Sequence, residues 1–178
     1  MKTIGNLEVL EWCKHRGIIN GPDRQMELAS KPCEVVEVAI PERALDIIAL
    51  ALAITNSSVP VHTDFLFYMR DWGFWSEAFE QSGLRIIENI RAGLESKEPL
   101  LETPGHLLSS SEIIDITGLL IQPMLFQWDA YLIPTDAIYL IEISHECRIR
   151  IYCASSDTAR HFCDELSNWG AASLVSSG

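Results

Sequence analysis

Cysteine and histidine are the residues of this chain whose spacing comes nearest to a chemical motif. They recur two residues apart at three places, namely Cys13/His15, His145/Cys147 and His161/Cys163. Two such pairs would supply the four nitrogen and sulfur ligands of a structural zinc ion. Two of the three pairs fall in predicted helices, however, where residues two apart point about 200° apart around the axis. Only the pair on a predicted turn could bind one ion, and its spacing matches no zinc signature. We therefore predict neither a metal site nor a cofactor.

The same turn places a thiol, an imidazole and the carboxylate of Glu146 in three consecutive residues. A cysteine or histidine beside an acid is the arrangement of a nucleophile with its general base. Side chains that are neighbours on a tight turn rarely point at one another, so this motif alone does not identify an enzyme. The candidate catalytic residues are His145, Cys147 and, elsewhere in the chain, His106. They define an alternative function, a small hydrolase or transferase with a His/acid or Cys147-centred site.

A second candidate site is an aromatic and acidic segment between a predicted strand and a predicted helix. Trp and Tyr are enriched at binding hot spots, and the pairing of an aromatic with an acid recurs before another predicted strand. The candidate binding residues are Asp71, Trp72, Phe74, Trp75, Glu77, Trp128 and Asp129. Two interpretations stay open. The rings close the ends of the core, because large aromatics are mostly buried, or they form a surface that receives a cationic or polypeptide partner.

The formal net charge of −12 over 178 residues narrows the classes of ligand. Between Lys97 and Arg148 the chain has eight acidic residues and no Lys or Arg. Binding to nucleic acid requires clustered basic residues, and an anionic membrane repels a chain of this charge, so we expect neither partner. Charge of this size keeps a protein soluble, and it also steers the approach of a basic protein partner.

Composition indicates a globular protein of the cytoplasm. Apolar residues make up 48% of the chain and include five Trp, which is typical of a packed core. No apolar run approaches the roughly 18 residues of a membrane-spanning helix. The first residues lack the apolar stretch of a signal peptide, so we expect a cytoplasmic location and reduced thiols at the five Cys.

Three β-like runs near the C-terminus predict a meander by the parity of their side chains. The runs are Asp129–Ile133, Ala137–Ser144 and Arg148–Cys153. A one-residue slip between the last two would turn their apolar residues out of the core, so the loop must have an odd number of residues. The predicted cross-strand pairs are Ile143–Ile149, Ile141–Ile151 and Glu142–Arg150. A three-residue loop normally needs Gly in its left-handed position. Because no Gly is present, we expect a five-residue loop.

A capped helix over Asp157–Trp169 follows the meander. Ser155 or Ser156 can cap its N-terminus, and Gly170 ends it. Its predicted inner stripe is Ala159, Phe162, Leu166 and Trp169. The remaining residues, 171–178, have little to hold them and are expected to form a frayed tail.

Periodicity and turn residues predict the elements before the meander. The predicted strands are Cys33–Ile40 and Thr63–Arg70, and the predicted helices are Asn6–Arg16, Pro41–Ile54, one ending near Leu94 and one opened by the Ser109/Glu112 capping box. Leu7 and Leu10, with Cys13 as a further candidate, are expected on the inner face of the first helix. The helix from Pro41 is apolar around its later turns and is expected at the centre of the fold. Pro123 is expected to end or kink the last of these helices.

This order of elements predicts a single α+β domain over residues 1–170. We expect two layers, with about five mostly antiparallel strands, the C-terminal three-stranded meander and helices chiefly on one face. Since no catalytic motif stands out, charge and the aromatic segment favour a non-enzymatic binding protein, similar to the acidic immunity and inhibitor proteins that neutralise basic toxins. A homo-oligomer that uses the same aromatic surface is a further alternative.

Overall fold

An eight-stranded sheet, antiparallel at every pairing, organises the fold. The computed structural model describes residues 1–21, 25–30, 32, 34–58, 64–70, 84–93, 96, 98–100, 102–170 and 173–177. The strands are β1 Lys2–Ile4, β2 Ile18–Asn20, β3 Met26–Leu28, β4 Glu34–Ala39, β5 Phe65–Met69, β6 Gly105–Leu108, β7 Ala130–Pro134, β8 Tyr139–Ser144, β9 Arg148–Cys153 and β10 Ser173–Ser177. The α-helices are α1 Asn6–Lys14, α2 Ala44–Ser58, α3 Leu84–Gly93, α4 Ile113–Phe126 and α5 Ser156–Asn168.

Strand order determines the directions of the helices. The sheet runs β1-β6-β5-β7-β8-β9-β4-β10, and β2 with β3 forms a separate hairpin. In this order β4 and β5 point the same way, so α2, which lies between them in sequence, runs against both. By the same reasoning α4, between β6 and β7, runs antiparallel to α2. The helix α5 packs on the other side of α2, which gives a helix layer in the order α4, α2, α5.

Different elements cover the two faces of the sheet. Under the helix layer lie Phe65, Phe67, Leu132, Ile141 and Ile151. The opposite face carries Leu66, Tyr68, Tyr131, Ile133 and Leu140, which pack against α1 and the β2–β3 hairpin. The predicted α+β class is therefore confirmed, with a mostly helical cover on one face. The sheet has eight strands rather than about five, and α1 with the hairpin adds a third layer.

The β8–β9 hairpin has the predicted register. Ile143 pairs with Ile149, Ile141 with Ile151, and Glu142 with Arg150. Ser144 pairs with Arg148, so the loop has three residues, and the expected five-residue loop is wrong. Cys147 occupies the left-handed position that usually carries glycine, with φ of 59°. This conformation is strained for a residue with a side chain.

The capped elements agree with their sequence signals. Ser155 caps α5, and its hydroxyl accepts a hydrogen bond from the backbone N–H of Thr158 at 3.2 Å. The inner stripe is buried except for Trp169, which is exposed. Ser109 and Glu112 form the predicted capping box, which opens a short 3₁₀ turn and then α4.

Three sequence-based expectations need correction. In α1 the candidate Cys13 is buried together with Val9, while Leu7 and Leu10 are exposed, because the helix turns a different stripe to the sheet. Helix α4 continues through Pro123 to Phe126; the proline is buried in the last turn, where packing offsets the lost hydrogen bond. Residues 173–177, expected to fray, pair with residues 34–38 of β4.

The end of α4 is a second place where a residue other than glycine is left-handed. Gln127 has φ of 56° and ψ of 50°, a conformation that costs an L-residue with a side chain roughly 1–2 kcal/mol. We expect Gln127→Gly to raise the free energy of unfolding by about 0.5–1 kcal/mol, since glycine favours this C-terminal position. Chemical denaturation measures the change. Gln127→Ala is the matched control, and a glycine variant no more stable than the alanine variant would contradict the prediction.

Candidate functional site

The predicted turn at residues 145–147 meets a carboxylate from a neighbouring strand. Asp129 precedes β7 and His145 follows β8, and the two strands are antiparallel neighbours. Asp129 Oδ1 accepts a hydrogen bond from the backbone N–H of His145 at 2.8 Å. The Nδ1 atom of the imidazole lies 2.9 Å from Asp129 Oδ1 and 3.0 Å from Oδ2. Asp129, proposed from the sequence as a binding residue, therefore orients His145, a candidate catalytic residue.

This geometry has a definite chemical consequence for the imidazole. A carboxylate at Nδ1 favours the tautomer with its proton on that nitrogen, and it leaves Nε2 as the basic atom at the opposite edge of the ring. The His145 side chain is more than half exposed, whereas Asp129 is largely buried. The same relation between an acid and a histidine orients general bases in hydrolases.

The third candidate on the turn, Cys147, does not join this pair. It makes no hydrogen bond with His145 within the described residues, and its side chain packs against the core under the helix layer. Its backbone carbonyl accepts a hydrogen bond from the N–H of Ile40 at 2.9 Å. Cys147 therefore anchors the turn to the segment between β4 and α2.

His106 is remote from the turn and inaccessible to solvent. It lies on β6, three strands from β8, which is about 14 Å at the usual strand spacing. Its side chain is fully buried. Nδ1 lies 3.3 Å from the carbonyl oxygen of Phe67, and among the described residues Nε2 has no hydrogen-bond partner by geometry. Burial, reinforced by the positive charge of Arg91, lowers the pKa of His106 to about 3, so the ring stays neutral.

Arg91 is a second buried polar group near His106. Its guanidinium donates to the carbonyl oxygen of Thr103 at 3.1 Å, to the Thr103 hydroxyl at 2.7 Å and to the carbonyl oxygen of Glu98 at 3.0 Å. Burial lowers the pKa of this arginine, and nearby Glu98 and Glu88 oppose that effect. The contacts tie α3 to the segment before β6, and we interpret them as structural.

The aromatic candidates separate into two groups. Trp128 is buried, and its ring stacks on Phe126 with centroids 5.0 Å apart, so it closes the core as the first of the two interpretations held. The candidates Asp71, Trp72, Phe74, Trp75 and Glu77 lie outside the described residues. The pairing of Trp128 with Asp129 thus splits into a core residue and a partner for His145.

A buried carboxylate, that of Glu142, lies on the other face of the sheet. The sequence predicted the cross-strand pairing of this residue with Arg150 but not its burial. Glu142 is almost completely buried. It accepts hydrogen bonds from the hydroxyls of Tyr152 at 2.8 Å and Tyr131 at 3.3 Å, and Arg150 lies 3.5 Å away. Burial and the charge of Glu142 raise the pKa of Tyr131 to about 12. Both tyrosine hydroxyls therefore stay protonated at physiological pH and donate hydrogen bonds to Glu142.

The sequence reasoning also missed an apolar surface on the helix layer. Leu45 and Leu52 of α2 and Ile114 of α4 are exposed, although α2 was expected at the centre of the fold. The available signal is charge, since α2 contains one charged residue, Asp46, and α4 contains one, Asp115. Two adjacent helices with so few charged residues must expose apolar side chains to solvent.

Comparison with known proteins gives no precedent for these sites. No protein-family model matches the chain, and neither the curated proteins nor the solved structures include a match. Within the described residues, no group of three or more His, Cys, Asp or Glu side chains is placed to hold a metal ion. None of the described helices is both long enough and apolar enough to cross a bilayer.

The buried imidazole of His106 predicts a pH dependence of stability. The unfolded chain binds a proton near the ordinary pKa of 6.5, whereas the folded chain does so only near 3. Stability is therefore lost as pH falls between these values, by up to about 1.4 kcal/mol per pH unit. We expect His106→Leu to remove this component, as measured by denaturation at pH 7, 6, 5 and 4. His15→Gln, at an exposed site, is the control; parallel curves for His106→Leu and the unsubstituted protein would exclude the effect.

Proposed function

We propose that this chain is a non-enzymatic, acidic binding protein that engages a basic protein partner, in the manner of immunity and inhibitor proteins. The observation that carries the proposal is the distribution of charge between the interior and the surface. The chain has 25 acidic and 13 basic residues. Where the arginines are placed decides how much of the negative charge remains uncompensated at the surface.

Most of the described arginines are engaged within the fold. Arg148 and Arg150 both bind Glu37, at 2.8 and 3.1 Å, and Arg91 is buried. On the surface, Arg160 pairs with Asp157 at 2.8 Å, and Arg43 pairs with Asp46 at 3.7 Å. Arg16 stacks on the ring of Trp12 at 4.0 Å. These contacts use much of the positive charge of the chain to satisfy its own groups.

The acidic side chains show the opposite distribution. Within the described part of the chain, nine exposed carboxylates have no ion-pair partner: Glu8, Glu11, Glu27, Glu42, Asp64, Glu88, Glu102, Asp136 and Asp164. Their summed field attracts a cationic surface and repels nucleic acid and anionic lipid. Complementarity of this kind accelerates association and selects against wrong partners.

The thiols are consistent with a cytoplasmic location, which forms part of the proposal. Cys13, Cys147, Cys153 and Cys163 are free, as expected in a reducing compartment. Burial raises the pKa of Cys13 to about 12, so this thiol is inert under physiological conditions.

The test is capture of partners from native lysate by immobilised protein, with charge-neutralised variants. We expect captured proteins to be basic and to be released as salt rises from about 50 to 500 mM, because exposed charge interactions are screened. A variant with Glu11→Gln, Asp136→Asn and Asp164→Asn should lose the capture.

The matched control neutralises a surface carboxylate that already has an ion-pair partner. Asp157→Asn removes an acid whose charge Arg160 compensates, so it should leave the capture unchanged. Capture of no protein, or of proteins without regard to their charge, would refute the proposal.

A second candidate function has one observation in its favour, the hydrogen bond between Asp129 and His145. A hydrolase or transferase at this site could use the imidazole as a general base or pair it with the Cys147 thiol. Because Cys147 makes no hydrogen bond with His145, we expect its alkylation by iodoacetamide to have the same rate in His145→Gln as in the unsubstituted protein. Mass spectrometry resolves the modified cysteines, and partly buried Cys163 is the internal reference. A tenfold slower reaction in His145→Gln would favour the enzyme.

A further inference from the structure

Helix α2 exposes a continuous apolar stripe on the side away from the sheet. Ile47, Leu50 and Ile54 face the core. On the opposite side, Leu45 is 70% exposed, Ile48 39% and Leu52 38%. Their spacings of three and four residues place them on one line along the helix. A surface helix normally carries polar residues in these positions.

Helix α4 exposes a similar stripe. Ile116, Leu119 and Met124 are buried, whereas Ile114 is 83% and Leu125 39% exposed, and Ile121 between them is half-buried. The spacings are seven and four residues, so these three side chains also share one side of their helix. Gly118, between Ile114 and Ile121, adds no side chain to the stripe.

The two stripes form one surface, because the helices are adjacent and antiparallel. The Thr117 hydroxyl donates to the Thr55 hydroxyl at 3.1 Å, which fixes the level at which α4 passes α2. Seven residues from Thr55 back to Ile48 span about 10 Å, and eight residues from Thr117 on to Leu125 span about 12 Å. Ile48 and Leu125 are thus at the same height. We call Leu45, Ile48, Leu52, Ile114, Ile121 and Leu125 the α2–α4 face.

The surroundings of the α2–α4 face are polar and acidic. The neighbouring helix α5 presents Asp157, Arg160 and Asp164 to solvent. Since α2 and α4 run in opposite directions, exposed Glu42, just before α2, and Asp115 in the first turn of α4 lie at opposite ends of the face, whereas Asp46 is paired with Arg43. Large exposed apolar surfaces with polar rims mark sites of protein interaction.

We infer that the α2–α4 face binds an amphipathic helix of the basic partner, an inference that rests on the proposed function. Aliphatic side chains of that helix lie between the two stripes, as in other helix-in-groove complexes, and its Lys or Arg residues meet the acids at both ends. A second copy of this chain is a worse occupant: whichever way two faces meet, acidic ends approach acidic ends, and each copy has a charge of −12. An anionic bilayer is opposed by the same charge.

The probe is a synthetic 18-residue peptide of Leu and Lys with a Leu stripe at helical spacing and Lys at both ends. Two comparison peptides are used: a scrambled sequence of the same composition and a Leu/Glu peptide with the same stripe. Isothermal titration calorimetry at about 50 mM salt gives the Kd. We expect the Leu/Lys peptide to bind at least tenfold more tightly than either comparison peptide.

The variants exploit the most exposed positions, so that folding is retained. Leu45→Gln with Ile114→Gln should raise the Kd of the Leu/Lys peptide at least tenfold. The matched control is Leu7→Gln on α1, 82% exposed on the opposite side of the sheet, which should leave the Kd unchanged. Thermal unfolding confirms that each variant is folded.

The possible outcomes distinguish failure of the α2–α4 face as the binding site from failure of the proposed function. If the scrambled peptide binds as tightly as the striped one, or if Leu45→Gln/Ile114→Gln has no effect, the α2–α4 face is not the site, although charge-driven binding stands. If neither cationic peptide binds, the proposed function also fails. Two further results overturn the inference: dimerisation in sedimentation experiments that the double variant abolishes, and co-sedimentation with vesicles of phosphatidylcholine and phosphatidylglycerol.

Discussion

Burial of both faces of the central strands is the constraint on which the rest of this structure depends. Every residue of β5, β7 and β8 is buried. A sheet buried in this way needs a cover on each side, and one helix layer supplies only one of them. The second cover is α1 with the β2–β3 hairpin. The three-layer arrangement therefore follows from the apolar character of three strands.

The second cover also determines the partners of two arginines. Glu142 lies on the covered side of β8, where an unpaired carboxylate would be strongly unfavourable. Two tyrosine hydroxyls and Arg150 satisfy it, and Arg150 in turn shares Glu37 with Arg148. Both arginines therefore have carboxylate partners within the fold.

Sequence alone predicted the parts of the fold whose signals are local. Parity determined the β8–β9 register, and caps located α5 and the start of α4. The short strands β1 and β6 and the strand β10 form only through pairing with distant partners, and three to five residues carry too little periodicity to reveal them. In α1 both possible inner stripes contain apolar residues, so the burial of Val9 in place of Leu7 and Leu10 depends on tertiary packing.

The candidate site was predictable to a similar extent. The three residues of the turn were identified, but the partner of His145 was not, because Asp129 is 16 residues earlier in the chain. The parity argument, extended from β8 to β7, would have placed Asp129 beside Ser144 and His145. The α2–α4 face required the positions of three helices, which no local pattern contains.

The pairing of residues 173–177 with β4 has a consequence for solubility. Without that pairing, β4 would present the unpaired backbone groups of a valine-rich strand, Glu-Val-Val-Glu-Val-Ala, at the edge of the sheet. Such an edge is a template for another chain. The strand that occupies it, Ser-Leu-Val-Ser-Ser, is short and rich in serine. This short edge strand therefore limits pairing between the sheets of neighbouring molecules.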